Sequence, residues 1–306
     1  MTGPGGETAQ AWTVRSLLAW ARDWLGKKGI ESPRLDAELL LARALKCDRM
    51  RLYIDIDKPP QADELSRFKA LLLRRAEREP VAYILGAKEF YGRAFAVDAR
   101  VFIPRPETEL LVQAALQALG GAGTQDEANR QAEASALSGA RALDLCAGSG
   151  AIGVSLAAER EGLLVDLVEL SPEAAEVASA NAASHGAGRA TVHTGDLYAP
   201  LPPERRYAVI ASNPPYIPLR DGAQLAPEIS RHEPALALFG GDDGLEVIRR
   251  IVAGAPHWLS PGGTLLLEID PPEAAAVVAL CEVAGLSLAR VTKDLAGQDR
   301  IVSARL

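Results

Sequence analysis

From position 141 onward the chain alternates between two kinds of segment. ALDLC (142–146), LLVDLVEL (163–170), ATVH (190–193), YAVIAS (207–212) and GTLLLEI (263–269) are short apolar runs with the composition of strands. Helical stretches lie between or after them, near 150–160, 172–184, 243–256 and 272–284. Parallel neighbours need a crossover, and a helix is the usual one. The alternation therefore predicts an α/β fold, with a mostly parallel sheet covered on both faces. SLARVTK and RIVSARL close the chain as a terminal strand pair. In open sheets of this kind, ligands bind beyond the carboxyl ends of the strands.

The first third of the 306 residues reads differently. Thr13 can cap a helix through about Gly29, with Leu17, Leu18, Trp20, Ala21 and Trp24 on its apolar side. Ser32-Pro33 marks a second start, a capping hydroxyl followed by proline in the first turn. A third helix covers about Ala62 to Arg78 and ends before Pro80. Residues 1–80 are thus expected to form a small helical domain, and 81–106 a β-hairpin linker around Gly92-Arg93. ETELLVQAALQAL returns to helical periodicity at 107–119, and the main domain is expected to span 107–306. The small, polar, alanine-rich stretch 120–140 reads as a flexible insertion. Arg34, Asp36 and Arg43 read as solvated helix faces.

The first strand of the alternating region runs into DLCAGSGAIG (144–153). Gly148 and Gly150 fall where strand turns to helix, so the backbone can bend sharply and a ligand can touch it. Asp144 stands just before, able to organise the turn. The next strand ends at Glu169, about 20 positions on, the offset at which an acid reaches ribose hydroxyls. Asp196 and Leu197 follow the third strand, where an acid can meet an adenine amino group and an apolar side chain its ring. Neither the dinucleotide spacing nor a phosphate loop is present. An adenosine without phosphates fits better, which points to S-adenosylmethionine.

The fourth strand stops at SNPPYIP (212–218). Asn213 then lies in the same crevice. Pro215 pushes Pro214 into an extended conformation, which leaves its carbonyl free to face a guest. The Asn213 side-chain oxygen and the Pro214 carbonyl can accept both hydrogens of a planar NH2, and Tyr216 can lie against its plane. Such a clamp suits methylation of a weakly nucleophilic amide or aromatic amine, where positioning and charge stabilisation govern the rate.

Composition removes several alternatives. No apolar run approaches a membrane span, and the N-terminus lacks the pattern of a signal peptide. Cys47, Cys146 and Cys281 are odd in number and far apart, as in a reducing, cytoplasmic setting without a disulfide framework. The four histidines show no metal-ligand spacing, so no metal is expected. A net charge of -7 disfavours a broad grip on nucleic acid.

Taken with FYGRAFAVDARVFIPRPETELLV, EPALALFGGDDGLEVIR and KDLAGQDRIV, these motifs resemble the bacterial release-factor glutamine methyltransferases, the HemK or PrmC family. The resemblance covers about residues 12–306. It implies a seven-stranded, Rossmann-like class I methyltransferase domain, joined by a hairpin to a helical N-terminal domain. It implies methyl transfer from S-adenosylmethionine, leaving S-adenosylhomocysteine. The acceptor would be the glutamine amide of the Gly-Gly-Gln motif in class I peptide chain release factors. The enzyme would be a cytoplasmic monomer with no direct nucleic-acid or membrane partner.

By position, Cys146, Ala147, Gly148, Ser149 and Gly150 match the family's cofactor loop. Glu169 matches its ribose acid, usually Asp, and Asp196 and Leu197 match its adenine-side pair. Asn213, Pro214, Pro215 and Tyr216 match the glutamine clamp, with Asn213 also bordering the cofactor. Arg105 and Glu107 fall in a segment flanking the active site. Cys146 replaces a usual glycine, LEIDPPE a usual LEIG, and the 120–140 insertion is long. The rivals are a ribosomal-protein glutamine or nucleic-acid adenine methyltransferase, a non-catalytic cofactor-binding module and a nucleotide-dependent oxidoreductase. The acidic balance, the intact clamp and the missing dinucleotide spacing speak against the last three in turn.

Overall fold

A computed structural model describes residues 12–120, 139–186 and 188–306. The insertion expected at 120–140 lies almost wholly outside the described residues. The chain forms two compact units, one through Gly86 and one from Ala87.

The first unit is helical: α1 (Val14–Lys27), α2 (Pro33–Leu45), α3 (Arg49–Ile54), α4 (Ala62–Ala76) and α5 (Val81–Leu85). Thr13 caps α1, its hydroxyl accepting the Ser16 N–H at 3.3 Å. The buried face of α1 is Val14, Leu17, Ala21 and Leu25, a run at helical spacing. Trp20, expected on that face, is exposed and stacks on Trp24 with ring centroids 5.7 Å apart. Ser32 makes no side-chain cap, and Pro33 alone marks the start of α2. Asp36 is buried rather than solvated, its carboxylate accepting from Arg75 Nε at 2.7 Å.

The hairpin linker is shorter than 81–106. Val81–Leu85 is helical, because Pro80 suits a helix start and Gly86, at φ 74, ends it in the left-handed region. The hairpin proper is β1 (Ala87–Phe90) against β2 (Arg93–Ala96). Its two turn residues, Tyr91 and Gly92, both have positive φ, as a tight primed turn requires. After a 3-10 turn at Pro106–Thr108 comes α6 (Glu109–Ala118).

The alternating region gives β3 (Arg141–Leu145), α7 (Ala151–Glu159), β4 (Leu164–Glu169), α8 (Pro172–His185), β5 (Ala190–Thr194) and β6 (Tyr207–Ser212). Then follow α9 (Pro227–His232), α10 (Glu246–Trp258), β7 (Leu259–Glu268), α11 (Ala274–Val283), β8 (Ser287–Lys293) and β9 (Asp299–Arg305). These strands form a seven-stranded sheet in the order β5-β4-β3-β6-β7-β9-β8. Only β9 runs against the rest. Side chains alternate between two cores: Leu143, Leu145, Ile210 and Leu265 face one, Ala142, Val209, Ala211 and Leu266 the other. Strand order reverses at β3, where β4 and β6 flank it, and that is where an open sheet leaves a crevice.

Candidate active site

The crevice is built from strand ends. The turn after β3 bends through Cys146 (φ 58), Gly148 (φ 54) and Gly150 (φ 79). A Cβ on Gly148 would meet nothing within 4 Å, so the main chain there faces open space. Asp144 organises the turn from below, accepting the Gly153 N–H at 2.8 Å. Its other oxygen, Oδ1, has no partner. Burial pushes this carboxyl up to about 7, and nearby Glu169 adds to the rise. Burial likewise pushes the Cys146 thiol up to about 12, which keeps it neutral.

Glu169 ends β4, and both its oxygens meet backbone. Gly148 N–H donates to Oε2 at 2.7 Å and Ser171 N–H to Oε1 at 2.9 Å. The carboxylate thus ties the glycine turn to the next strand end and keeps lone pairs for a further donor. Beyond β5, Leu197 is buried at φ 48. Asp196 is half exposed and paired with Arg250 at 2.6 Å.

The corner after β6 is held from three sides. Ser212 donates its hydroxyl to the Leu145 carbonyl at 2.7 Å, which locks the strand end to β3. Asn213 Nδ2 donates to Thr108 Oγ1 at 3.2 Å. Behind the prolines, Ile217 N–H bonds the Leu238 carbonyl at 2.9 Å and Gly240 N–H bonds the Ile217 carbonyl at 3.0 Å. EPALALFGGDDGL thus backs the corner. A Cβ on Gly240 would stand 2.4 Å from the Pro215 carbonyl oxygen, a gap that admits only glycine.

Cys146–Ser149, Glu169, Asp196, Leu197 and the 213–216 corner line this one cleft. Gly150 does not: it faces inward, where a Cβ would stand 3.2–3.4 Å from Leu167, Val154 and Ala178. Arg105 and Glu107 do not. Arg105 ion-pairs with buried Glu233, which also accepts the Ile103 N–H, and its guanidinium lies 4.5 Å from the centre of the Phe102 ring. Glu107 is exposed. Thr108 and Arg250 line the cleft without having been anticipated, and Glu268 stands behind it. Glu268 is the acid at the end of GTLLLE, and its place at a parallel strand end, like that of Glu169, was the available signal.

Sheet order and strand-end cleft are those of a class I methyltransferase. The family model described as "Methyltransferase small domain" matches residues 131–232, and "PrmC N-terminal domain" matches residues 16–86. The crystal structure of the hMettl16 catalytic domain shares the fold at a TM-score of 0.52, with 14% identity over 75% of this chain and 80% of that one. The protein is an S-adenosylmethionine-dependent methyltransferase. The release factor glutamine methyltransferase of Geobacter sulfurreducens is 41% identical over 98% of this chain and 99% of its own. That of Cereibacter sphaeroides is 43% identical over 92% and 94%. The chain belongs to the release factor glutamine methyltransferase family.

Proposed function

We propose that the enzyme methylates the side-chain amide nitrogen of the glutamine in the Gly-Gly-Gln motif of class I peptide chain release factors, and so modulates translation termination in the cytoplasm. The observation that carries this reading is the Asn213–Tyr216 corner, held rigid in the same cleft as the Gly148 turn. Free thiols at Cys47, Cys146 and Cys281 suit a reducing compartment.

The cleft fits the cofactor. The bare main chain at Gly148 admits close approach, and the Glu169 carboxylate has lone pairs for ribose hydroxyls. Leu197 offers an apolar surface and Asp196 an acceptor for adenine. Bound there, S-adenosylmethionine supplies an electrophilic methyl group on a sulfonium.

The corner then handles the acceptor. A carboxamide nitrogen is a poor nucleophile, because its lone pair is delocalised into the carbonyl. The Asn213 Oδ1 and the Pro214 carbonyl accept its two hydrogens and hold its plane. Tyr216 covers that plane; burial raises its phenol, so it stays neutral. The two acceptors stabilise positive charge as it builds on nitrogen. No strong base is required, since the nitrogen grows far more acidic once alkylated and its proton leaves late.

Asn213→Ala tests this directly. It removes one acceptor and leaves the 146–150 turn and Glu169 intact. Methyl transfer to purified release factor should fall by a factor on the order of 100 or more, with cofactor affinity little changed. A wild-type rate in this variant would refute the clamp. Mass spectrometry after incubation with release factor, ribosomal protein and DNA would locate the methyl group.

A further inference from the structure

An asparagine side chain has two ends, and only the oxygen can accept. For Asn213, the NH2 end points to Thr108, which leaves Oδ1 for a guest. Two buried groups set that choice. Thr108 is 3% exposed, on the 3-10 turn before α6. Glu268 is 2% exposed, at the end of β7. Ser212 pairs with Leu267 in the parallel β6–β7 register, so Asn213 and Glu268 are the next residues on neighbouring strands, and Asn213 holds Thr108. The Thr108 and Asn213 side chains both act on the Glu268 carboxyl. Its Oε2 is buried without a hydrogen-bond partner, which leaves the carboxylate an acceptor to spare for a neighbouring hydroxyl.

A carboxylate only accepts. A threonine hydroxyl turned to give its single hydrogen to that carboxylate can only receive from Asn213. Both neighbours therefore demand the NH2 end of Asn213. We propose that Glu268, acting through Thr108, is a positioning residue for methyl transfer: its carboxylate fixes Asn213 with Nδ2 inward and Oδ1 toward the acceptor amide. This rests on the reading of Asn213 as an acceptor given above.

The lock has a pH signature. Burial pushes Glu268 up to about 7, and the Glu107 charge adds to the rise. Thr108, Arg300 on β9 and Asn213 pull it the other way, and Tyr216 in the corner also feels its charge. Once protonated, Glu268 can donate to Thr108. The hydroxyl is then released to donate to Asn213 Oδ1, and the amide can reverse. Turnover should therefore rise with pH as Glu268 ionises.

The test is kcat and KM for release factor from about pH 6 to 9, with calorimetric cofactor titrations, for wild type, Glu268→Gln, Thr108→Val and Asn213→Ala. Glu268→Gln keeps the shape but can present either end of its amide. It should lose roughly tenfold in kcat at high pH, flatten the acid limb, and leave KM and cofactor affinity unchanged. Thr108→Val should lose a similar factor in kcat, which covers the case in which Glu268→Gln fails to fold. If both variants keep the wild-type kcat and acid limb while Asn213→Ala is inactive, Glu268 has no such role and the clamp stands. A folded Glu268→Gln that binds cofactor weakly but keeps the limb would make Glu268 merely structural and overturn the proposal. An active Asn213→Ala would instead sink the acceptor reading itself.

Discussion

Gly240→Ala probes the corner from behind, at a residue that does not itself line the cleft. The added Cβ would stand 2.2 Å from the Gly244 carbonyl oxygen and 2.4 Å from the Pro215 carbonyl oxygen. Contacts below 3.0 Å are essentially never seen, so the backbones must part by roughly 1 Å. Both obstacles are main-chain atoms, and no change of rotamer can relieve them. Gly240 does not have positive φ, so alanine meets no conformational penalty and the effect is one of space alone. Overpacking of this kind costs about 1–3 kcal/mol. The functional cost should be larger, because Pro215 lines the cleft within the proposed clamp. A displacement near 1 Å at a reacting group can cost on the order of 100-fold in rate. Transfer of labelled methyl to release factor should fall by about that factor, while calorimetry gives a cofactor Kd within about threefold of wild type. The control is Gly26→Ala in α1, where the nearest atom to a new Cβ is Pro33 Cγ at 3.9 Å and helix propensity improves. A folded Gly240→Ala enzyme turning over at the wild-type rate would refute the claim that this glycine sets the corner.

Two further expectations concern the other side of the cleft. Glu169→Ala strands the Gly148 and Ser171 amides, so cofactor affinity should drop by about tenfold or more by calorimetry; an unchanged Kd would remove its assigned role. Asp144 is pushed up to about 7 from 3.8, so the folded protein keeps a proton there that the unfolded chain has released. Its contribution is present in full below the unfolded value and is lost as pH rises through about 7. Asp144→Asn should therefore lose less Tm than wild type between about pH 5 and 8 in scanning calorimetry, and equal slopes would contradict the assignment.

What could be read in the sequence was local. Strand runs, the left-handed positions at Gly148 and Gly150, and the stop at Pro214-Pro215 each follow from the steric rules of a few neighbouring residues. What escaped depends on distant partners. Thr108 meets Asn213 across 105 positions, and Arg75 meets Asp36 across 39, with no periodicity to announce either. Trp20 was assigned to the buried side of α1 because it is large and apolar. The face is instead completed by Val14 and Leu25, and the ring lies on Trp24. Val81–Leu85 falls inside the expected hairpin linker, yet Pro80 before it and Gly86 after it frame a single helical turn.

The bridge between Ile217 and Phe239, with paired prolines in front of it, leaves the pocket wall little room to adapt. The burden of deformation falls on the visitor. A glutamine flanked by glycines can meet that demand, since such a stretch can take contorted backbone shapes closed to bulkier neighbours. A glutamine held in a regular helix or strand has no such backbone freedom. Selectivity would then reside as much in the pliancy of the incoming loop as in any contact made to its side chains.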